Sequence, residues 1–167
     1  MLILETERLL LREFVPEDVD ALAAVLSDPE TMRYYPALLD RAGVAAWIER
    51  NRRRYADAGH GLWAMVLKSS GEVIGDCGMT RQTVDGVDEI EIGYHVRRDL
   101  WGQGYAPEAA RACRDYGFSR LGAERLIALI RPENIPSRRV AEKIGLSLWK
   151  EAVWRGLLHC VYAVRRA

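Results

Sequence analysis

Hydrophobic and polar positions along the chain repeat with two different periods, and these periods predict an ordered set of strands and helices. Residues 9–14 form a short apolar run after a charged lead and predict a first strand. Pro16 then begins a helix with apolar side chains every three or four residues, and Asp40 caps a second helix. The aromatic segment at residues 32–36 predicts an irregular connection between the two helices.

The middle of the chain predicts an antiparallel meander. Three apolar or alternating stretches, at residues 61–67, 72–79 and 89–96, are separated by short turn sequences rich in Ser, Asp and Gly. Gly93, inside the third stretch, predicts a bulge or a close approach of another group to the backbone. Helices and strands are thus partly segregated along the chain, which is typical of an α+β fold.

The last third of the chain predicts one buried strand and a closing hairpin. Residues 125–130 are apolar on both faces, which indicates a buried strand that follows a helical crossover and runs parallel to its neighbour. A short helix follows, starting at Pro136 and ending at Gly145. Residues 146–154 and 157–164 predict the hairpin, so the pattern over residues 1–167 is that of a single domain.

Composition narrows the function classes. The 167 residues include 24 basic and 24 acidic side chains, so no general attraction to nucleic acid or to acidic membranes is expected. Cys77, Cys113 and Cys160 have no metal-binding spacing, and their odd number argues against a disulfide framework. The chain starts without a leader-like sequence and has no apolar run long enough to cross a bilayer. We expect a cytoplasmic protein without a metal.

Residues 97–110 carry the clearest functional signal, because they predict a strand, a glycine loop and a helix in succession. Gly102 and Gly104 allow a ligand to approach the backbone, and Pro107 fits the first turn of the helix. Free N–H groups at such a helix start favour a phosphate or pyrophosphate, although two glycines before a helix also make a plain tight turn. The dinucleotide fingerprint fails at Pro107 and the nucleotide phosphate-loop ending is absent, which disfavours nicotinamide or ATP.

Three stretches of the chain resemble motifs of one enzyme family. Residues 101–106, Trp-Gly-Gln-Gly-Tyr-Ala, resemble motif A of the GNAT acyl-CoA N-acyltransferases. Trp101 departs from the general first letter of that motif but matches the form found in the RimJ/RimL-like branch of ribosomal-protein alanine acetyltransferases. Residues 134–145 resemble motif B, and residues 5–14 resemble the first strand of that branch. The three matches occur in the family's order and span nearly the whole chain.

The resemblance implies both a fold and an activity. The implied GNAT fold has one mixed, mostly antiparallel sheet with helices on both faces and a parallel strand pair at the coenzyme cleft. The implied reaction moves an acetyl group from acetyl-CoA directly to a primary amine, which is a protein N-terminus, an amino acid or a small-molecule amine. A catalytically weak acyl-CoA-binding sensor is the alternative. Oligomeric state stays open between monomer and homodimer.

The resemblance also implies a set of coenzyme-binding residues. Loop N–H groups would hold the diphosphate, a main-chain N–H near Tyr94 or His95 would polarise the thioester carbonyl, and Val96 would bond the pantetheine arm. The residues expected to bind coenzyme are Tyr94, His95, Val96, Trp101, Gly102, Gln103, Gly104, Tyr105, Ala106, Asn134, Ser137 and Lys143. One or two flanking arginines are expected to meet phosphate, from the set Arg97, Arg98, Arg138 and Arg139.

Catalytic candidates lie on the strand that precedes the glycine loop. Glu89, Glu91 and His95 share one strand face, and we favour Glu91 as the general base with Glu89 second; a solvated acidic face is the alternative. Tyr34 and Tyr35 are expected to line the acceptor pocket together with Glu91, unless they only close the edge of the core.

The proton donor to the leaving thiolate is unassigned. Many family members are thought to use a tyrosine seven residues after the motif B asparagine, and this chain has Ala141 there. Asn134 and Ser137 are therefore expected to hold the pantetheine or a water near the sulfur.

The arginine run at residue 50 and residues 52–54 offers a third hypothesis, a nucleic-acid module. On a helix these side chains spread around the circumference, so a solvated face is favoured, and the neutral overall charge agrees.

Overall fold

The computed structural model describes residues 1–167 and contains one open sheet of eight strands. The strands are β1 (Leu2–Glu5), β2 (Leu9–Arg12), β3 (Leu62–Leu67), β4 (Val73–Val84), β5 (Val87–Val96), β6 (Arg125–Ile130), β7 (Ser147–Trp154) and β8 (Leu157–Arg165). They lie in the spatial order β1, β2, β3, β4, β5, β6, β8, β7. Only β5 and β6 pair in parallel, so the predicted mixed, mostly antiparallel sheet is confirmed.

Helices cover both faces of the sheet. They are α1 (Val19–Leu26), α2 (Arg41–Ala58), α3 (Tyr105–Ser119) and α4 (Ile135–Lys143). Side chains of β3 alternate between two cores: Trp63 and Met65 share one with α3 and α4, whereas Ala64 and Val66 share the other with α1 and α2. None of the helices combines the length and the apolar character that crossing a membrane requires.

The helix boundaries follow the predicted signals. Pro16 opens a short 3-10 turn that leads into α1. The Asp40 side chain accepts a hydrogen bond from the Gly43 N–H at the start of α2. Gly145, with φ of +90°, follows the end of α4. These capping predictions are confirmed.

One strand prediction is wrong, and of the two alternatives for Gly93 the close approach is the one observed. The lead before β2 is itself a strand, β1, which pairs antiparallel with β2; four residues beside charged neighbours are too short for a periodic signal. Gly93 forms no bulge, because β4 and β5 pair without a register shift from Gly75–Val96 to Val84–Val87. A Cβ at Gly93 would lie 3.3 Å from Leu62 Cδ2, so the absence of a side chain there makes room for Leu62.

The parallel pair of strands opens a gap in the sheet. Glu91 and Ile127 are the single pair in register between β5 and β6. Beyond that pair the two strands run on to Val96 and Ile130 without pairing. The chain leaves the end of β5, forms α3 and returns into β6. Main-chain groups at the end of β5 are therefore left facing a cleft between the strands.

Candidate active site

The loop at residues 101–106, which we call the glycine loop, joins β5 and a short 3-10 turn to α3. Gly102 and Gly104 have φ of +79° and +84°, a region that strains residues with side chains. The main-chain N–H groups of residues 102–106 donate to no acceptor in the protein. Five free donors at the positive end of a helix form a site for an anion, and the residues present fit a diphosphate.

Side chains from the β1–β2 turn hold the glycine loop from behind. Glu108, in the first turn of α3, accepts hydrogen bonds from the Thr6 hydroxyl at 2.6 Å and from the Arg8 main-chain N–H at 2.8 Å. The Arg8 guanidinium bonds both Glu108 at 2.7 Å and the Gln103 carbonyl at 2.9 Å. Burial would raise the pKa of Glu108, but the bonds from Thr6 and Arg8 outweigh burial and lower it. The loop is thus anchored through an ionised carboxylate, which the motif alone did not indicate.

A first cavity of about 550 Å³ lies between the glycine loop, the end of β5 and α4. It is lined by eleven of the twelve predicted coenzyme residues, namely Tyr94, His95, Val96, Trp101, Gly102, Gly104, Tyr105, Ala106, Asn134, Ser137 and Lys143. Gln103 is not in the lining, and its carbonyl faces Arg8 instead. Arg139 and Lys143 bring positive charge to the wall.

The other flanking arginines are engaged elsewhere. Arg97 pairs with Asp99 at 2.7 Å. Arg98 pairs with Asp28 at 3.4 Å. Arg138 donates to the Tyr162 hydroxyl at 2.9 Å. None of the three lines the first cavity, which leaves Arg139 as the flanking arginine that does.

Strand geometry selects which amides of β5 face the cleft. Arg97 N–H donates to the Ile74 carbonyl of the β4 side at 2.8 Å. Hydrogen bonding alternates along an antiparallel pair, so the His95 N–H also faces β4, and the N–H groups of Tyr94 and Val96 face the gap toward β6. Of the two predicted donors to a thioester carbonyl, Tyr94 is therefore the one oriented toward the cleft.

A second cavity of about 460 Å³ opens on the other side of β5 and meets the first. The residues common to both linings are Tyr34, Tyr35, His95, Asn134 and Ser137. The two cavities therefore share a junction formed by these five residues. The two predicted acceptor-pocket tyrosines both lie at that junction.

Glu91 is the carboxylate of the second cavity. Burial raises the pKa of Glu91 to about 7, although hydrogen bonds from the Gln82 side chain and the Leu129 N–H act in the opposite direction. The Gln82 amide nitrogen lies 3.2 Å from Glu91 Oε1. A carboxylate that changes charge near neutral pH is well suited to accept a proton.

Glu89, the second candidate base, lies elsewhere. It is buried and receives two hydrogen bonds from the Arg125 guanidinium, including one of 3.0 Å between Arg125 Nε and Glu89 Oε2. Glu89 lines neither cavity. The structure therefore places Glu91 in the second cavity but keeps Glu89 in an ion pair between β5 and β6.

A hydrogen-bonded chain of three side chains ends at the junction. The fully buried Asp76 contacts His95 Nδ1 through Oδ1 at 2.7 Å, and its Oδ2 accepts from Trp47 Nε1 at 3.0 Å. His95 Nε2 lies 2.7 Å from the Tyr35 hydroxyl. Tyr35 is 41% exposed as a whole residue, and desolvation of its hydroxyl, with smaller contributions from Glu91 and Asp76, raises its pKa. One sequence feature could have indicated Asp76: it is a charged residue within an otherwise apolar strand.

The motif B residues support this junction. Asn134 Oδ1 accepts from the Ser137 N–H at 3.3 Å, and Ser137 Oγ lies 3.1 Å from the Tyr94 hydroxyl. Ala141, at the position of the family's tyrosine, is fully buried in the core. No tyrosine of α4 lines the cleft, and the side-chain hydroxyls common to both cavities are those of Tyr34, Tyr35 and Ser137.

Comparison with known proteins agrees with this geometry. The model of the family "Acetyltransferase (GNAT) domain" matches residues 8–147. The chain is 42% identical over 144 residues to YkkB, an uncharacterized protein of Bacillus subtilis, covering 86% of this chain and 84% of YkkB. An acetyltransferase structure from Agrobacterium tumefaciens is 30% identical, with a TM-score of 0.83 over 98% of this chain and 94% of that chain.

The RimJ/RimL resemblance is reflected in the fold. Mycobacterium smegmatis RimJ, solved in complex with CoA-disulfide, superposes with a TM-score of 0.76 at 22% identity, covering 94% of this chain and 81% of RimJ. That likeness concerns the fold alone. With the family match over residues 8–147 and the sheet, loop and cleft described above, the chain belongs to the GNAT family of acetyltransferases.

Proposed function

We propose that this protein transfers an acetyl group from acetyl-CoA to a primary amine, by direct attack of the amine while both substrates are bound. The observation that carries the proposal is the junction of two cavities, one bordered by unpartnered N–H groups of the glycine loop and the other by the half-buried Glu91 carboxylate, whose pKa is raised to about 7. Each cavity has the size and mixed lining of a small-molecule site.

The first cavity would hold the coenzyme. The free N–H groups of residues 102–106 bind the diphosphate, and Arg139 and Lys143 add positive charge beside it. The N–H groups of Tyr94 and Val96 face the cleft and bind the pantetheine arm and the thioester carbonyl. A donor fixed in the sheet stabilises the charge that develops on that oxygen without having to reorganise. Bound acetyl-CoA supplies the activated acetyl group.

Glu91 acts as the general base in the second cavity. The reacting nitrogen must be neutral, and an α-amino group has an ordinary pKa near 7.7–8.0. A Glu91 pKa of about 7 matches such an amine closely enough for proton transfer, directly or through one water. The new carbon–nitrogen bond forms, and the proton of the attacking nitrogen moves to Glu91.

Tyr35 supplies the proton that the leaving sulfur needs when the carbon–sulfur bond breaks. Asp76 holds His95 through Nδ1, and His95 Nε2 lies 2.7 Å from the Tyr35 oxygen, which positions the Tyr35 hydroxyl at the junction. Tyr35 gives this proton to sulfur as the bond breaks. Solvent then restores the proton of Tyr35 and removes the one held by Glu91, which balances the reaction to free thiol and amide.

Thiol release tests the proposal. The purified protein is incubated with acetyl-CoA and a panel of α-amino acids, N-terminal peptides, lysine and polyamines, with thiol followed by a colorimetric reagent and product identified by mass spectrometry. Calorimetry with coenzyme A measures binding separately. We expect coenzyme binding together with acetylation of at least one class of amine. Coenzyme binding without release on any amine would contradict catalysis and favour a sensor, and no binding at all would overturn both.

A further inference from the structure

The second cavity concentrates positive charge in a protein whose basic and acidic residues balance. Its lining includes four arginines, Arg50, Arg54, Arg131 and Arg155. Arg54 and Arg131 are half-buried, whereas Arg50 and Arg155 are exposed at the mouth. Glu91 is the single carboxylate in the lining.

These arginines converge from three separate parts of the fold. Arg50 and Arg54 are four residues apart on α2 and therefore share one helix face. Arg131 follows the end of β6, and Arg155 occupies the turn between β7 and β8 with φ of +50°. The sequence analysis favoured solvent exposure for the arginine run at residue 50 and residues 52–54. Arg52 and Arg53 are exposed and do not line the cavity.

Three of the four arginines of the cavity lack an acidic partner. Arg50, Arg54 and Arg155 form no salt bridge; Arg54 donates to the Asn51 amide oxygen at 3.1 Å, and Arg155 lies 4.4 Å from the centre of the Trp154 ring. Arg131 is 3.7 Å from Glu133, and its buried Nε has no hydrogen-bond partner.

Positively charged side chains repel one another at this wall of the second cavity. Burial is the main cause that lowers the pKa of Arg54, and the neighbouring Arg50 and Arg155 lower it further. An anion among these side chains would relieve the repulsion and supply acceptors for their planar N–H groups. A polycationic acceptor would add to the repulsion instead.

We infer that the acceptor is a primary amine that also carries a carboxylate, with the amine at Glu91 and the carboxylate at the arginines. This inference rests on the proposed acetyl transfer and narrows its acceptor. A cavity of about 460 Å³ accommodates a molecule of amino-acid size. A free amino acid and a peptide N-terminus next to an acidic residue both present this chemistry, whereas polyamines and aminoglycoside-like amines do not.

Matched acceptors test the inference. Each amino acid is compared with its carboxamide and with its decarboxylated amine, and peptides that begin with Ala-Asp or Ala-Glu are compared with Ala-Asn or Ala-Gln. Charge-assisted hydrogen bonds support a preference of about 10- to 100-fold in kcat/KM for the carboxylate. If only free amino acids show this preference for the carboxylate, the acceptor is a small molecule. If only the acidic peptides show it, the acceptor is a protein N-terminus. Equal rates for acid and amide, or highest rates on polyamines, would overturn the inference.

Arginine variants locate the carboxylate. Arg54→Gln and, separately, Arg155→Gln are expected to reduce the acid-to-amide ratio by about tenfold while leaving coenzyme affinity unchanged. Arg53→Gln is the matched control, because Arg53 lies on the same helix, is exposed and does not line the cavity. Arg155 lies in an exposed turn, so we expect Arg155→Gln to fold even if Arg54→Gln, at a half-buried position, does not. If both variants fold and neither changes the acid-to-amide ratio, the placement of the carboxylate at these arginines is wrong.

Calorimetry separates this inference from the proposed reaction. The acid and amide are titrated into the protein saturated with coenzyme A, which measures binding without turnover. Tighter binding of the acid, lost in Arg155→Gln, supports the arginine site whether or not acetyl transfer occurs. Thiol release without acid preference in either assay refutes the acceptor inference alone, whereas acid binding without thiol release on any acceptor refutes the acetyl transfer.

Discussion

Replacing the Glu91 carboxylate by an amide, Glu91→Gln, should stabilise the protein while it abolishes most of its activity. The pKa of Glu91 is raised from an ordinary 4.5 to about 7, so the folded chain holds the proton more tightly than the unfolded chain. Between these two pKa values the folded state binds more protons, and its stability therefore falls as the pH rises. Above about pH 7 the loss is complete.

The size of this effect follows from the same two values. Each pH unit between them removes about 1.4 kcal/mol, which gives an upper limit of about 3 kcal/mol at pH 8 and about 1.4 kcal/mol at pH 5.5. The carboxylate borders a cavity that admits water, and this solvation reduces the penalty. We expect the stability advantage of Glu91→Gln over wild type to grow by about 1 to 2 kcal/mol between pH 5.5 and pH 8.

Urea denaturation at both pH values measures this difference, and thiol release at pH 8 measures activity. Loss of a general base should lower kcat by about a hundredfold or more and leave coenzyme affinity unchanged. Glu89→Gln is the comparison on the same strand: it breaks the buried pair with Arg125 and should lower stability at both pH values. A stability difference that does not change with pH, or full activity in Glu91→Gln, would refute the reasoning.

Three further changes test the coenzyme side and the proton donor. Gly104→Val, at φ of +84°, should weaken coenzyme A binding in calorimetry by about tenfold or more, whereas Gly71→Val, in a turn at φ of +75° away from the cavities, should cost stability only. Tyr35→Phe should lower kcat by about a hundredfold, and the loss should shrink with a selenoester donor, whose leaving group is less basic; an equal loss with both donors would argue against proton donation. Glu108→Gln should weaken coenzyme binding several-fold and lower the Tm, because Arg8 loses its charged partner; unchanged values would show that the glycine loop needs no such anchor.

The parts of the fold that depend on neighbouring residues were predictable from the sequence. Asp85-Gly86 sets the β4–β5 turn with φ of +50° and +75°, and the glycine loop is built from consecutive residues with a local conformational requirement. Residues 125–130 revealed their buried strand through apolar character on both faces. In each case the signal lies within one short segment.

The chemistry of the junction depends on contacts between distant segments, which the sequence does not indicate beyond the single charge of Asp76. Tyr35, Asp76 and His95 come from a connection and two strands, and only the fold brings them within hydrogen-bond distance. Alternation predicted Glu89 and Glu91 on one face equally, and their different surroundings follow from Arg125, which lies beside Glu89 only once β6 has paired with β5.

The shared wall of the two cavities has a consequence for how such enzymes diversify. Only five residues belong to both cavities, while the β7–β8 turn and α2 border the second cavity alone and the glycine loop borders the first cavity alone. In the proposed reaction, changes in the turn or in α2 therefore exchange one nucleophile for another without altering how the thioester is bound. Grafting these two segments from a relative offers a direct route to new amide-forming catalysts in which the residues around the first cavity are kept.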